Sequence, residues 1–513
     1  MADQRPQYYD NSLSPVDINA TTLADCLKQF REAVRKGSEL IHENSPVPDK
    51  WDKTGFFKGF PGVALGFLRL NFQSPILADE NGPSPDYRQW ALQRIPSGLS
   101  DTPLIPSRIS PVGSLSPLTA VALHILAALS DKTKEKPTIS SEDGAVLEEA
   151  VNLSLKNGSL VSHGDRKMGA DEMLYGRAGV LWTLLNIRAH HFDEETEKAL
   201  APILNQIPNL IHLIIDAGRQ GSKDYIEKHG ETDAHPLMYV WLEGFYGFGA
   251  VHGMTGILAI LLACKPEELK PYLTDLGGTI TTICKLCIAN NGHLPMSIPS
   301  LKSNSSGPRL LQICHCSPGV LALMVAALKN RPLAEAFWQP EWDQVIYTAT
   351  ERTWEEGLLS KGGSLCHGIA GNAYPWLLLH DCYEDSEYID KPRQAYLQRE
   401  KTSTLPDVSR TLTGDFFLSR ALAFLLHARE TRPYNTAPAP SDRDYRPPDD
   451  PWSLFEGLPG TVCAWADACA VVQARLRQME LGAAVSTDSA FQEARRSQLG
   501  FPGLGGNGVK GVF

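Results

Sequence analysis

An all-α fold assembled from seven repeated units is the reading this sequence supports, and three observations carry it. A motif of small residues, G-x-x-G or a close relative, recurs seven times, each copy just ahead of a short apolar run. Charge-rich amphipathic stretches separate the copies, as at 23–41, 141–155 and 194–215. Sustained period-two alternation, the mark of a half-buried strand, is absent. One apolar inner helix and one more exposed outer helix per unit would account for all three. Units of that kind cannot bury a face alone, so they stack or close on one another.

The motif reads GFPG at 59–62, GRAG at 176–179, GMTG at 253–256, GIAG at 368–371 and GLPG at 457–460. Two copies are degenerate: GSLSP from Gly113, and CSPG at 316–319, where Cys316 replaces the first glycine. The runs that follow, at 63–68, 118–123, 180–185, 257–262, 320–325, 372–377 and 461–466, are apolar nearly all round, as buried helices are. Glycine suits the entry to such a helix because positive φ and close backbone approach are both cheap for it. The stretches 73–117 and 430–451, rich in Pro with Ser or Asp, read as loop insertions unable to pack a core. The segment from about 490 to 513 carries GFPGLGGNGVKGVF and reads as an irregular tail. Because the repeats run nearly end to end, one domain over 1–513 is expected, although length alone suggests about three.

Composition narrows the function classes. A net charge of −11 over 513 residues argues against nonspecific nucleic-acid binding and against a polybasic membrane patch. The start, MADQRPQYYDNSL, lacks the apolar stretch of a secretory signal, and no apolar run approaches the roughly 18 residues of a membrane span. Ten cysteines are too sparse for a disulfide scaffold. The expectation is a cytoplasmic protein, or one peripheral to the plasma membrane, with free thiols.

Three of the motif copies carry metal-type residues beside their glycines. Cys366 and His367 immediately precede Gly368, Cys314 stands two residues before Cys316, and His252 immediately precedes Gly253. If the units close into a ring, equivalent positions converge on one central mouth. Two thiolates and one imidazole would then leave a fourth zinc position open, the catalytic rather than the structural pattern. The bland alternative is that Cys314 and Cys366 pack as small hydrophobes, as free cysteines often do. Cys284-x-x-Cys287 lies in a helical stretch with no partner pair and is expected to pack, as are Cys463 and Cys469. No G-x-G-x-x-G follows a strand, so dinucleotide binding has no support.

The strings LCHGIAGNAY, QICHCSPG, AVHGMTG, DEMLYGRAG and SLFEGLPGT resemble the signature motifs of the LanC-like family, the eukaryotic relatives of bacterial lanthionine cyclases. The resemblance covers most of the chain. It implies an (α/α) toroid of seven inner and seven outer helices around a central zinc held by Cys314, Cys366 and His367, with His252 as the active-site histidine. Family members that bind glutathione use a lysine five residues before the second zinc cysteine and an arginine seven residues before the serine of SLFEG, which fall on Lys361 and Arg446. An N-terminal arginine corresponds to Arg5, and the acidic residue of the site to Asp171 or Glu172. The first zinc motif departs from the family pattern, with Ile313 in place of Trp and Cys316 in place of Gly. The first change is expected to alter the pocket wall. The second adds a thiol that is either a ligand or a redox-sensitive neighbour, and His315 is expected outside the ligand set.

The resemblance implies addition of glutathione, or another thiol, to a dehydroamino acid in a protein or peptide, or to a small electrophile. A zinc-bound thiol is a thiolate at neutral pH and can attack the activated alkene, His252 then supplying a proton. Lys361 and Arg446 would hold glutathione carboxylates. The alternative on the same fold is a non-catalytic zinc- and glutathione-binding regulatory or scaffold protein.

Overall fold

Helix Ala20–Asn44 shows how the outer layer is made. Asn19 caps it by accepting from Thr22 N at 3.0 Å, and Leu23, Phe30, Val34 and Ile41 form its buried stripe. Ser140 and Thr413 likewise cap Ser141–Lys156 and Gly414–His427 through their side chains. With Tyr87–Leu92, Ile207–His229, Leu273–Ala289 and Pro340–Glu356 these supply one outer helix per unit, and Glu194–Leu204, Arg331–Phe337 and Ser386–Glu400 are further helices between the inner ones. The structure is a computed structural model that describes residues 5–78, 84–133, 135–300, 311–437 and 443–513.

Inner helices alternate with them: Phe60–Leu77, Leu118–Leu129, Arg177–Arg188, Met254–Leu262, Ser317–Lys329, Ile369–Tyr383 and Leu458–Leu481. They are buried almost all round and start without side-chain caps. The entry loop supplies the missing acceptors by folding back on the helix. Ile369 N donates to Gly362 O at 2.9 Å, Thr255 N to Phe248 O at 3.1 Å, Arg177 N to Ala170 O at 2.8 Å and Leu458 N to Pro451 O at 2.9 Å. That fold-back is why the second motif position is glycine. A Cβ on Gly256 or Gly371 would lie 1.8 Å from the carbonyl oxygen six residues earlier, Ala250 O or Leu365 O. Close approach is therefore the operative reason. Positive φ holds at the first motif position only for Gly59, at +88°, whereas Gly253, Cys316, Gly368 and Gly457 are extended.

Neighbouring inner helices pack in chain order, and the last packs back on the first. Leu118–Leu129 and Arg177–Arg188 meet through their entry loops, where Gly113 N donates to Leu174 O at 2.8 Å. Gln73 on the first inner helix donates to Asp467 on the last at 2.7 Å, and the N-terminal outer helix lies on the C-terminal inner one. The result is a closed (α/α) ring, all-α as the repeats predict. Among the described residues no helix is long and apolar enough to cross a membrane.

Three features depart from the sequence expectations. Short strands occur: Leu160–His163, Arg166–Gly169, Val240–Leu242, Phe245–Gly247 and Ser297–Ile298 form an antiparallel sheet from entry loops, with Val161 opposite Met168 and Gly247 opposite Ser297. The 73–117 stretch contributes the end of the first inner helix, the Tyr87–Leu92 helix, and core residues Tyr87, Ile109 and Val112. The C-terminal segment is not a loose tail: Ser489–Ser497 is helical, and the chain beyond it fills the ring lumen. Asp467 accepts from Leu499 N at 3.0 Å and Gly500 N at 2.7 Å, and buried Arg69 reaches the carbonyls of Gly500 and Phe513 at 2.5 Å each. All the tail glycines, Gly500, Gly503, Gly505, Gly506, Gly508 and Gly511, have positive φ, so this path is open to little else.

Candidate active site

Every inner helix begins at one end of the ring, so the residues just before each motif are delivered to one mouth. There they line a cavity of about 420 Å3. Immediately before the motif's first position stand Lys58, Tyr175, His252, His315, His367 and Glu456, and all six line it. Cys314 and Cys366, one residue further back, line it too. The convergence expected from the repeats is present in six of the seven units; the seventh, degenerate at Gly113, contributes Gly113 and Ser114.

Cys314, Cys366 and His367 place one ligand atom each within 4.8 Å of one another. Their chemistry fits a soft or borderline cation such as zinc. Donation of a hydrogen bond to Cys314, together with burial, holds the Cys366 thiol well above its usual range, a cost that a divalent cation would remove. Cys316 is not part of this group. Its Sγ turns away, 3.4 Å from Leu294 N and 3.5 Å from Ser317 Oγ, and its extended backbone explains why the motif tolerates it. Ile313 is fully buried and outside the lining, so the lost Trp leaves the wall to other residues. His315 lies outside the ligand group and stacks on His252 at 5.3 Å, with Trp241 5.5 Å from His252 and 5.4 Å from His315. Burial, aided by His252 and His367, lowers the His315 pKa to about 3, so the ring is neutral.

The two acidic candidates separate cleanly. Glu172 Oε2 lies 2.8 Å from His252 Nδ1, while Asp171 is held by Arg177 at 2.6 and 3.0 Å. Glu172 is 2% exposed, so the pair is fixed, and His252 keeps its other ring nitrogen for the cavity. Burial raises the Asp171 carboxyl against the pull of Arg177.

The three expected glutathione contacts lie along one edge of the mouth. Tyr8–Tyr9 pairs with Leu358–Leu359, and Arg446 N donates to Ser360 O at 2.8 Å, which lays the N-terminal arm and the 443–450 strap beside Lys361. Lys361 lines the cavity and pairs with Asp449. Arg446 bonds Ser360 Oγ at 3.1 Å, and Arg5 pairs with Asp444 at 2.8 Å, both outside the lining. Lys58 pairs with Glu456 at 2.7 Å. Burial raises the Asp449 carboxyl, but Lys361, His367 and Lys58 outweigh it and hold it below the usual range. Sequence reasoning passed over Lys58, Tyr175, Glu456 and Asp449. The register that found His252 and His367 also marks the first three.

Fold and mouth together define a helical-ring protein with a thiol–imidazole set at its centre. Residues 119–413 match the family model of lanthionine synthetase C-like proteins, and the chain belongs to that family. It is 26% identical over 437 residues to glutathione S-transferase LANCL1 of Danio rerio, covering 84% of this chain and 86% of that protein. It is also 26% identical over 316 residues to LanC-like protein GCL1 of Arabidopsis thaliana, covering 60% and 58%. The solved structure of nisin cyclase aligns with a TM-score of 0.37 and 14% identity over 80% of this chain and 98% of that one.

Proposed function

We propose that this protein is a zinc-dependent enzyme that adds glutathione, or another thiol, to a dehydroamino acid in a protein or peptide or to a related electrophile. The observation that carries the reading is that Cys314, Cys366 and His367 line the same cavity as His252, whose Nδ1 is held by Glu172 behind it. A simple binder has no need of that pair. The similarity to a relative named glutathione S-transferase supports the choice of thiol.

Zinc held by Cys314, Cys366 and His367 would keep the substrate thiol as thiolate at neutral pH. Lys361 and Arg446 hold the carboxylates of the thiol substrate and aim its sulfur at the alkene. As the S–C bond forms at the β-carbon, the C=C π pair moves to the α-carbon, which takes a proton from His252. Glu172 fixes the imidazole so that the ring nitrogen away from it faces the cavity. The proton the thiol releases replaces the one His252 gives up, so the thiol adds across the double bond and no external oxidant or reductant is consumed.

The test is incubation of zinc-replete protein with glutathione and a dehydroalanine peptide, followed by mass spectrometry. The expected result is a thioether adduct with wild type and none above background with His252→Ala. Absence of an adduct under zinc-replete conditions supports the non-catalytic zinc- and glutathione-binding alternative.

A further inference from the structure

We propose that Asp449 is a positioning residue that anchors the His367 imidazole for metal binding and ties it to Lys361. The inference rests on the reading above, in which Cys314, Cys366 and His367 hold zinc. One carboxylate oxygen carries it: Asp449 Oδ2 lies 3.1 Å from His367 Nε2 and also takes the ion pair from Lys361 Nζ. His367 Nε2 is buried and makes no hydrogen bond, and Asp449 is the carboxylate paired with it; His367 would then give Nδ1 to the metal and Nε2 to this carboxylate. Glu456 is the other carboxylate grouped with His367, but it is engaged by Lys58 at 2.7 Å. The strap bearing Asp449 is pinned before it by Arg446 N on Ser360 O at 2.8 Å and after it by Leu458 N on Pro451 O at 2.9 Å, at the start of the last inner helix. Its aim therefore does not depend on a free loop.

An imidazole that gives one nitrogen to a metal is oriented by what the other nitrogen meets, and a carboxylate there fixes the ring and raises its basicity. Lys361 stands at the same oxygen. The group expected to receive a substrate carboxylate is thus one atom away from the group that orients the metal ligand. Nothing in the motif pattern marks Asp449, because it lies in the strap and not in an entry-loop register.

Zinc affinity, measured by competition with a chromophoric chelator, tests this without using activity. Asp449→Asn is expected to weaken zinc binding about 10- to 100-fold, the range for loss of an outer-shell partner. Asp449→Glu should recover part of that loss, and Lys361→Ala should hold zinc as wild type does. Thermal melts of the metal-free proteins should coincide, since the Asp449 side chain is 47% exposed. The inference is overturned if Asp449→Asn binds zinc within about twofold of a zinc-binding wild type, a change below what an outer-shell partner contributes. It is equally overturned if Lys361→Ala loses as much as Asp449→Asn. A wild type that binds no zinc removes the proposed function as well, so the two failures are distinguishable.

Discussion

Asp171 and Glu172 are adjacent in sequence, both buried, and fit the same place in a motif, yet the structure gives them opposite expected phenotypes. Glu172→Gln keeps shape and burial but takes the charge from the group 2.8 Å from His252 Nδ1. A group that orients a general acid commands much of the roughly 10²- to 10⁴-fold that such catalysis supplies, so kcat should fall by about 10²-fold. Melting should barely change. Asp171→Asn leaves Arg177, 2% exposed, without its carboxylate. Stranding a buried charge costs about 3–5 kcal/mol, and the contacts of Arg177 with Asn157 O and Gly158 O favour the lower end. With an unfolding entropy near 2.1 cal/mol/K per residue, the 513-residue chain should lose roughly 3–5 °C in Tm. Its kcat per folded molecule should be that of wild type. The assay is adduct formation by mass spectrometry at saturating glutathione, alongside calorimetry on the same preparations. A Glu172→Gln enzyme with wild-type kcat and pH profile, or an Asp171→Asn enzyme that is stable but inactive, refutes the assignment of roles.

Metal analysis should give about one zinc per chain for wild type and for Cys316→Ser and none for Cys366→Ala; loss of zinc in Cys316→Ser would contradict the placing of that thiol. Gly256→Ala sets a Cβ 1.8 Å from Ala250 O and should cost about 1–3 kcal/mol or more in urea unfolding, and a neutral result would remove the fold-back argument. Asp467→Ala strips the acceptor from Leu499 N, Gly500 N, Tyr374 Oη and Gln73 Nε2, so the 498–513 segment should become sensitive to protease while an Asp467-intact control stays protected. Burial lowers the His235 pKa to about 4, so below the unfolded value of 6.5 the unfolded chain takes up a proton that the folded one refuses. Stability from this residue is complete above pH 6.5 and declines toward pH 4, by roughly 2 kcal/mol at pH 5, and urea titrations at pH 7 and 5 should show a smaller loss in His235→Asn.

The ring was legible because its cause is local. Each unit needs a glycine where the entry loop folds onto the helix and an apolar run behind it, and both are visible in any single copy. The meeting of Cys314, Cys366 and His367 was legible for the same reason, since all three keep a fixed offset from their motifs. What escaped notice is long-range. Strands of two to four residues such as Val240–Leu242 are too short to show alternation, and their hairpins are joined across units, Met168 lying opposite Leu242 and Gly247 opposite Ser297. The glycine-rich 499–513 segment looks like a solvated tail by composition, and only the ring lumen makes its burial necessary. Tyr87, Ile109 and Val112 sit among prolines and serines, which concealed a segment that packs. Asp449 reaches His367 from a strap whose course depends on Ser360.

The single offset also accounts for the make-up of the mouth. In six of the seven units the residue just ahead of the first motif position is carried to the cavity whatever its type, so ring closure sets the geometry and each of those units sets one functional group. Lys58, Tyr175, His252, His315, His367 and Glu456 are therefore six independent choices made on one scaffold. The chain groups them by chemistry. The three imidazoles come from consecutive units and form one side, where His252 and His315 stack and His367 joins the thiols. Lys58 and Glu456 come from the first and last units, which meet only because the ring closes, and they pair across that seam at 2.7 Å. A charge pair spanning the closure point beside the candidate metal set binds the integrity of the ring to the integrity of the site. Opening the ring at that seam removes Lys58 from Glu456, and with it one wall of the cavity that holds Cys366 and His367.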